Sequence, residues 1–239
     1  MKAEFGRRQA LMYNTRDMRS RYSWKSYLLI TGFLSTLAMF ALARVYPTFP
    51  GDERVLLAFQ GLQTGWLDVL ALAVTKLGCT PLAAASGSAA IAVMAVMRRW
   101  ADGLMLLMGG VLIAVGDSLK GLVARVRPDY YLLGPEPSGL SFPSGHSLYA
   151  IIFGGLLIYL VGKLVPIPAL RYSLQIGLGA LILAMGASRV YLGVHWPSDV
   201  IGGFLFGAVA LMGLIALRNR VEDGWPTQRS GCHHGIFPW

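Results

Sequence analysis

Three short segments of this chain hold most of the polar side chains that could do chemistry. Lys120 and Arg127-Pro128 stand at the end of one apolar run, Pro143-Ser144-Gly145-His146 opens the next, and Ser188-Arg189, His195 and Asp199 lie between two more. Lys120, Arg127 and Arg189 offer point-charge and forked donors that suit the non-bridging oxygens of a phosphate. Ser144 and Gly145 stand where a helix is expected to begin, so free backbone N–H groups and the positive end of the helix dipole would face the same anion. A neutral imidazole attacks phosphorus once a neighbour fixes its tautomer, and His195 has Asp199 one turn away for that task. Pro197 is expected to start a helix there, which makes the relation one of proximity rather than a regular i,i+4 pair. His146 then serves as general acid, giving a proton to the leaving oxygen and later activating water. The chemistry read from these residues is double displacement through a phosphohistidine.

A divalent ion bridging phosphates usually needs clustered carboxylates. Here the candidates are Asp199, Asp129 and Glu136, and arginine and lysine supply charge stabilisation instead. No metal or other cofactor is expected.

These segments have to be positioned by the rest of the chain, which is 55% hydrophobic and only 14% charged, against about 25% charged in a soluble domain. Composition excludes an ordinary water-soluble globule. The formal charge of +9 does not indicate a nucleic-acid binder, because the basic residues punctuate apolar segments rather than form a stripe beside stacking aromatics. Cys79 and Cys232 make no disulfide framework and read as free thiols.

Apolar runs of spanning length predict six transmembrane helices at 27–46, 66–97, 104–123, 147–165, 172–191 and 199–217. The second run is too long for one untilted crossing; Gly78 and Pro81 predict a break, with 66–77 partly interfacial. The fold class is therefore an all-α polytopic membrane helix bundle. It is organised as a basic tail over 1–26, a membrane domain over 27–217 and a tail over 218–239. Arg98 and Arg99, Lys163 and Arg171, and Arg218 and Arg220 fall on one side with the basic N-terminal tail, which the positive-inside rule assigns to the cytoplasm together with both termini. The three polar segments share the opposite, extracytoplasmic face of a bacterial inner membrane. Ala41-Leu42-Ala43 resembles a signal-peptidase site, but the long basic region and full-length span before it favour an uncleaved anchor.

Other residues take plainer readings. Arg125 reads as a snorkelling anchor, and Asp117 as an ion-pair partner of Lys120. Gly203 and Gly207 fit close helix packing within the monomer at least as well as dimerisation, and Tyr130 and Tyr131 fit an interfacial aromatic belt somewhat better than the lining of a lipid entrance. Cys232, His233 and His234 supply too few oriented ligands to make a metal tract.

The three segments resemble, position for position, the KxxxxxxRP, PSGH and SRxxxxxHxxxD motifs of the type 2 phosphatidic acid phosphatase superfamily. The resemblance implies a six-helix fold, no metal requirement, and a phosphate pocket of Lys120, Arg127, Ser144, Gly145 and Arg189. It likewise implies His146 as acid, His195 as nucleophile and Asp199 as its partner. The expected activity is metal-independent hydrolysis of a phosphate monoester or diphosphate on a membrane lipid, such as undecaprenyl diphosphate, phosphatidic acid or phosphatidylglycerol phosphate. A lipid phosphotransferase using the same residues and a non-catalytic phospholipid transporter are the alternatives. Oligomeric state is not legible.

Overall fold

The structure, a computed structural model, describes residues 24, 26–130, 132–134 and 137–224. The basic N-terminal cluster, Tyr131, Glu136 and the tract Cys232-His233-His234 lie outside the described residues. Among the described residues every regular element is a helix. They are α1 (Ser26–Val45), α2 (Asp52–Gln60), α3 (Gly65–Leu77), α4 (Thr80–Val96), α5 (Trp100–Val123), α6 (Gly145–Leu164), α7 (Pro168–Tyr191) and α8 (Pro197–Gly224). α5 is interrupted at Leu119 and α6 contains a π-helical turn, Ala150–Gly154.

Helix ends follow local chemistry. Pro168 and Pro197 stand at or beside the first helical position, where a missing N–H costs nothing and φ is already set. For that reason α7 and α8 begin a few residues before the apolar runs that predicted them. Asp52 and Glu53 occupy the first turn of α2, and Asp199 that of α8, where negative charge meets the positive end of the dipole. The expected break falls at Gly78-Cys79, with Pro81 starting α4.

Five helices, α1 and α5 to α8, are long and apolar enough to cross a bilayer. α4, with 17 residues, sits at the short limit of a span at about 25 Å. It packs against α5 and runs from Gly78 at the site end to Arg99 at the opposite end of the bundle, as a sixth crossing would. α2 and α3, bent 119° to one another, make no crossing, because both ends of the pair stand at one face. Asp52 at the start of α2 bonds Ser198, and Thr75 near the end of α3 bonds Arg189. The apolar run 66–97 thus divides into a helix lying along the site face and a spanning helix. Outward faces carry exposed side chains such as Phe33, Val96, Ile176 and Leu183, which requires hydrocarbon rather than water as solvent.

The main core, where α4, α5, α6 and α8 meet, contains Met94, Met105, Leu148, Ile152, Leu156 and Leu214. Helices approach closely because glycines face side chains. A Cβ on Gly207 would stand 1.9 Å from Ile151 Cγ2, and one on Gly203 2.9 Å from the Ser144 carbonyl oxygen. The Gly203/Gly207 pair therefore packs α8 on α6 inside one chain, as expected. At the other end of the bundle, buried Asp102 accepts from Arg99 Nε at 2.6 Å and Arg218 Nε at 2.8 Å, tying α5 to α8.

Gly203→Ala should lower stability by about 1–3 kcal/mol, since the new methyl meets a backbone oxygen that cannot rotate away. Gly213→Ala, whose Cβ meets nothing within 4 Å, is the control. Thermal unfolding in detergent reads both, and equal midpoints would refute the packing account.

Candidate active site

All eight sequence-predicted site residues gather at one end of the bundle, on helix ends and the segments joining them. Ser144 is the N-cap of α6, fully buried, and its Oγ accepts from Ser147 N at 3.4 Å. Its own N–H bonds the Asp199 carbonyl at 3.1 Å, which locks the start of α6 to the start of α8. Gly145 leaves room for the end of α5: a Cβ there would lie 3.3 Å from Asp117 Oδ1 and 3.6 Å from Lys120 Nζ. Lys120 and Asp117 form the expected ion pair, 2.6 Å long, with the aspartate side chain largely exposed.

Arg127 lies in the irregular segment after α5. Its guanidinium donates to the carbonyls of Gly139 at 2.9 Å and Val194 at 2.7 Å, and its Nη1 stands 3.1 Å from His195 Nε2. Burial pulls its pKa below the ordinary arginine value, opposed by Asp199 and Asp117. Arg189 occupies the last turn of α7, is buried, and donates from Nη1 to Thr75 Oγ1; its Nε has no partner. Among the described residues no carboxylate forms an ion pair with either guanidinium. The site therefore holds cationic charge that is fixed in place without being neutralised.

The chain reverses after α7 at Gly193, whose φ of 74° is readily available to glycine. The N–H groups of Val194 and His195 both reach back to the Arg189 carbonyl, at 3.2 and 3.3 Å. This turn delivers His195, which is 2% exposed. Its Nδ1 is 3.3 Å from Ser141 Oγ and 3.5 Å from Asp199 Oδ2. The aspartate contact is long for a hydrogen bond, and the Ser141 hydroxyl, which donates to the same Asp199 oxygen, stands beside both groups. With acceptors at Nδ1 and the Arg127 donor at Nε2, the network assigns the proton to Nδ1 and the lone pair to Nε2. Burial, reinforced by Arg189 and Arg127 and opposed by Asp199, lowers the His195 pKa to about 4. That places the imidazole in its neutral form at physiological pH.

His146 sits in the first turn of α6. The Thr75 backbone hydrogen-bonds its ring, and Arg189, His195 and Lys120 are all within electrostatic reach. Its Nε2 is buried with no partner. Gly78 allows the contact, because a Cβ there would stand 2.5 Å from His146 Cδ2. The end of α3 thus forms one wall of the site.

The reading of Arg125 as a snorkelling anchor is overturned. Its guanidinium is fully buried, 2.6 Å from Asp199 Oδ1 and 2.8 Å from Asp52 Oδ2, with further bonds to Ser198 Oγ at 2.7 Å and the Pro47 carbonyl at 2.9 Å. Asp52 in turn accepts from Ser198 N and Oγ at 2.9 and 2.6 Å. Tyr130, exposed at the site end of the bundle, donates to Glu53 and meets Trp196 edge-on at 6.1 Å, fastening its segment to α2 and the His195 turn. Asp52, Ser141, Ser198 and Thr75 are site components that the sequence did not single out. An acid among apolar segments could have flagged Asp52, but nothing local flagged the others. Cys79 is a free, exposed thiol, as expected. Among the described residues no three His, Cys, Asp or Glu side chains cluster as metal ligands.

Residues 98–223 match the PAP2 superfamily. Phosphatidylglycerophosphatase B of Bacillus subtilis is 34% identical over 187 residues, covering 76% of this chain and 90% of that protein. Undecaprenyl-diphosphatase of Sulfolobus acidocaldarius is 38% identical over 103 residues, 41% of this chain and 46% of that protein. The crystal structure of a transmembrane PAP2-type phosphatidylglycerolphosphate phosphatase from Bacillus subtilis superposes with a TM-score of 0.73 at 31% identity, covering 82% of this chain and 98% of that one.

Two predictions follow from the charges. The neutral form of His195 exists above its pKa of about 4 and is lost only as pH falls through that value. Nitrogen chemical shifts of labelled His195 should therefore stay those of the Nδ1–H tautomer from pH 8 to pH 5. A transition near the ordinary value of about 6.5 would contradict the burial account. Arg125→Met leaves Asp52 and Asp199 buried without their cation, at a cost of about 3–5 kcal/mol. An unfolding midpoint within error of wild type would show that the pair carries no such weight.

Proposed function

This chain belongs to the PAP2 superfamily, and we propose that it hydrolyses the phosphate monoester of a glycerolipid by double displacement on His195. It is an integral membrane protein and a phosphatase of lipid phosphates; the choice of substrate and the division of roles are our reading. The observation that carries it is the pair of carboxylate-free guanidiniums, Arg127 and Arg189, flanking two histidines. Such a site is incomplete without an anion. The glycerolipid is favoured because phosphatidylglycerophosphatase B aligns along 90% of its length and the solved phosphatidylglycerolphosphate phosphatase along 98% of its own.

In this mechanism the phosphoryl oxygens lie among Lys120, Arg127, Arg189 and the free N–H groups at the start of α6. Arg127 Nη1 transfers its hydrogen bond from His195 Nε2 to a phosphate oxygen, which frees the lone pair that it covers at 3.1 Å. Nε2 attacks phosphorus as the bond to the lipid oxygen breaks, and His146, which takes up its proton as the phosphate anion comes to lie beside it, gives that proton to the lipid oxygen. The same imidazole then takes a proton from water as the water oxygen attacks phosphorus. The N–P bond breaks, and inorganic phosphate leaves. Asp199 and Ser141 hold the Nδ1 proton throughout and stabilise the positive charge that forms on the ring.

Orientation in the membrane is also part of the proposal. Arg99 and Arg218 share Asp102, while Lys163 and Asn219 share Tyr159, so the basic loops converge at the end of the bundle away from the site. The positive-inside rule supports a cytoplasmic position for that end and an extracytoplasmic one for the site.

Purified protein should release phosphate from phosphatidylglycerophosphate in excess chelator, faster than from a polyprenyl diphosphate. Free phosphate, rather than a phosphorylated acceptor lipid, should be the product. His195→Ala should lower kcat by about 10⁴-fold or more, and His146→Gln by about 10²–10⁴-fold, with a smaller loss on nitrophenyl phosphate, whose leaving group needs no proton. Alkaline quench of labelled substrate should trap phosphohistidine in wild type and none in His195→Ala. Full activity of His195→Ala, or strict dependence on added metal, would sink the mechanism.

A further inference from the structure

A groove of about 220 Å³ opens between α4, α6 and α7 on the flank of the bundle. Its site end is bounded by Leu77 and Met185. Met185 Sδ would stand 3.0 Å from a Cβ on Gly78, on the same side of that glycine as the His146 ring. The groove therefore begins beside the general acid and runs away from it into the hydrocarbon layer. Along α6 it reaches Leu157, eleven residues beyond His146, or about 16 Å at 1.5 Å per residue.

Its walls are built for an apolar occupant. Tyr149 lies one turn past His146 and stacks on Phe153, with centroids 5.2 Å apart and planes 18° apart, which gives a flat aromatic wall. The two polar groups in the lining, Ser86 Oγ and Tyr149 OH, satisfy each other across the groove at 2.9 Å, so neither demands a polar ligand. The π turn Ala150–Gly154 forms the α6 side of the groove, and π-bulges recur at functional sites. Gly154 draws α7 against α6 behind it, since a Cβ there would meet Ile182 at 2.8 Å.

We propose that this groove holds one fatty acyl chain of the lipid whose phosphate is hydrolysed. The proposal rests on the glycerolipid phosphatase reading above. Three features together point to that occupant: the groove starts at Leu77 and Met185, beside the Gly78 contact of His146; its lining is apolar except for the mutually bonded Ser86 and Tyr149; and along α6 it extends from Tyr149 to Leu157, about 12 Å, room for a stretch of one acyl chain. Bilayer hydrocarbon is as apolar as the groove, so moving a chain from one to the other gains little hydrophobic energy. The groove works by shape. It sets the height and angle at which the headgroup meets His195, in a reaction where misplacement by about 1 Å can cost about 100-fold.

The test compares dipalmitoyl and dibutyryl forms of one glycerolipid phosphate in mixed micelles. Leu178→Trp, which fills the groove from α7, should lower the long-chain to short-chain ratio of kcat/KM by at least tenfold. An equal loss on both substrates, or an unchanged ratio, overturns the proposal. A wild type that hydrolyses neither lipid overturns the functional reading instead. Because Leu178→Trp can fail to fold, wild type is also irradiated with a lipid phosphate carrying a diazirine in its acyl chain. Adducts on Tyr149, Phe153 or Leu178 support the groove. Adducts spread over outward residues such as Val96 and Ile176, or stronger groove labelling by a diazirine polyprenyl phosphate, overturn it.

Discussion

Positive charge that is held but not neutralised is the constraint around which this end of the molecule is built. Arg125 and Arg127 lie two residues apart and show two ways a guanidinium can be held in place, one buried and one half-buried. Arg125 is neutralised by Asp52 and Asp199 and has become structure. Arg127 is held by the backbone carbonyls of Val194, Gly139 and Ser138, which fix its plane while leaving its charge intact. Carbonyl dipoles satisfy donors without cancelling the field, so Arg127 and Arg189 remain able to reward an arriving phosphate. Replacing those carbonyls by a carboxylate would close the site electrostatically while barely changing its shape.

The same constraint explains why helix ends, rather than helix interiors, supply the chemistry. In hydrocarbon every backbone group needs a partner, and irregular chain is tolerated only where protein surrounds it. Here the irregular segment between α5 and α6 is fastened by Ser141 N to the Arg125 carbonyl and by the Arg127 guanidinium to the Ser138 and Gly139 carbonyls. Arg189 in the last turn of α7 and Asp199 in the first turn of α8 each stand where the helix dipole favours their sign. Asp199 spends its two oxygens on Arg125, Ser141 and the Trp196 N–H. Its orienting effect on His195 therefore depends on groups drawn from the segment between α5 and α6, from the turn before α8 and, through Arg125, from α2.

That dependence marks the boundary of what the sequence reveals. The six crossings, the break at Gly78-Cys79 and the gathering of Lys120, His146, Arg189 and His195 at one end are legible because apolar period and motif spacing are local properties of the chain. A lone arginine at a span end usually snorkels, and Arg125 departs from that rule only through partners 73 and 74 residues away, Asp52 and Asp199. Asp52 and Thr75 belong to the α2–α3 pair, whose 119° bend turns an apolar stretch along the site face instead of through the bilayer. The break at Gly78 and Pro81 points to an interfacial course for 66–77, but no pattern in residues 52–77 tells which site residues it meets; the contacts with Ser198 and Arg189 do. Ser141 and Ser198 are ordinary serines until the fold places them on a buried carboxylate.

Charge and shape divide the recognition problem between them. The cationic end recognises a phosphoryl group whatever carries it, because Arg127, Arg189 and the α6 N-terminus address only its oxygens. Selection among lipids then has to come from the part of the molecule that stays in the membrane. Hydrophobic affinity cannot perform that selection, since the bilayer solvates every chain equally well. Packing against fixed walls can, because a chain that does not match the Tyr149–Phe153 face and the approach of α7 at Gly154 places its phosphate at the wrong height. In such an arrangement lipid preference drifts through wall residues of α4, α6 and α7, while the His195 and His146 machinery stays as it is.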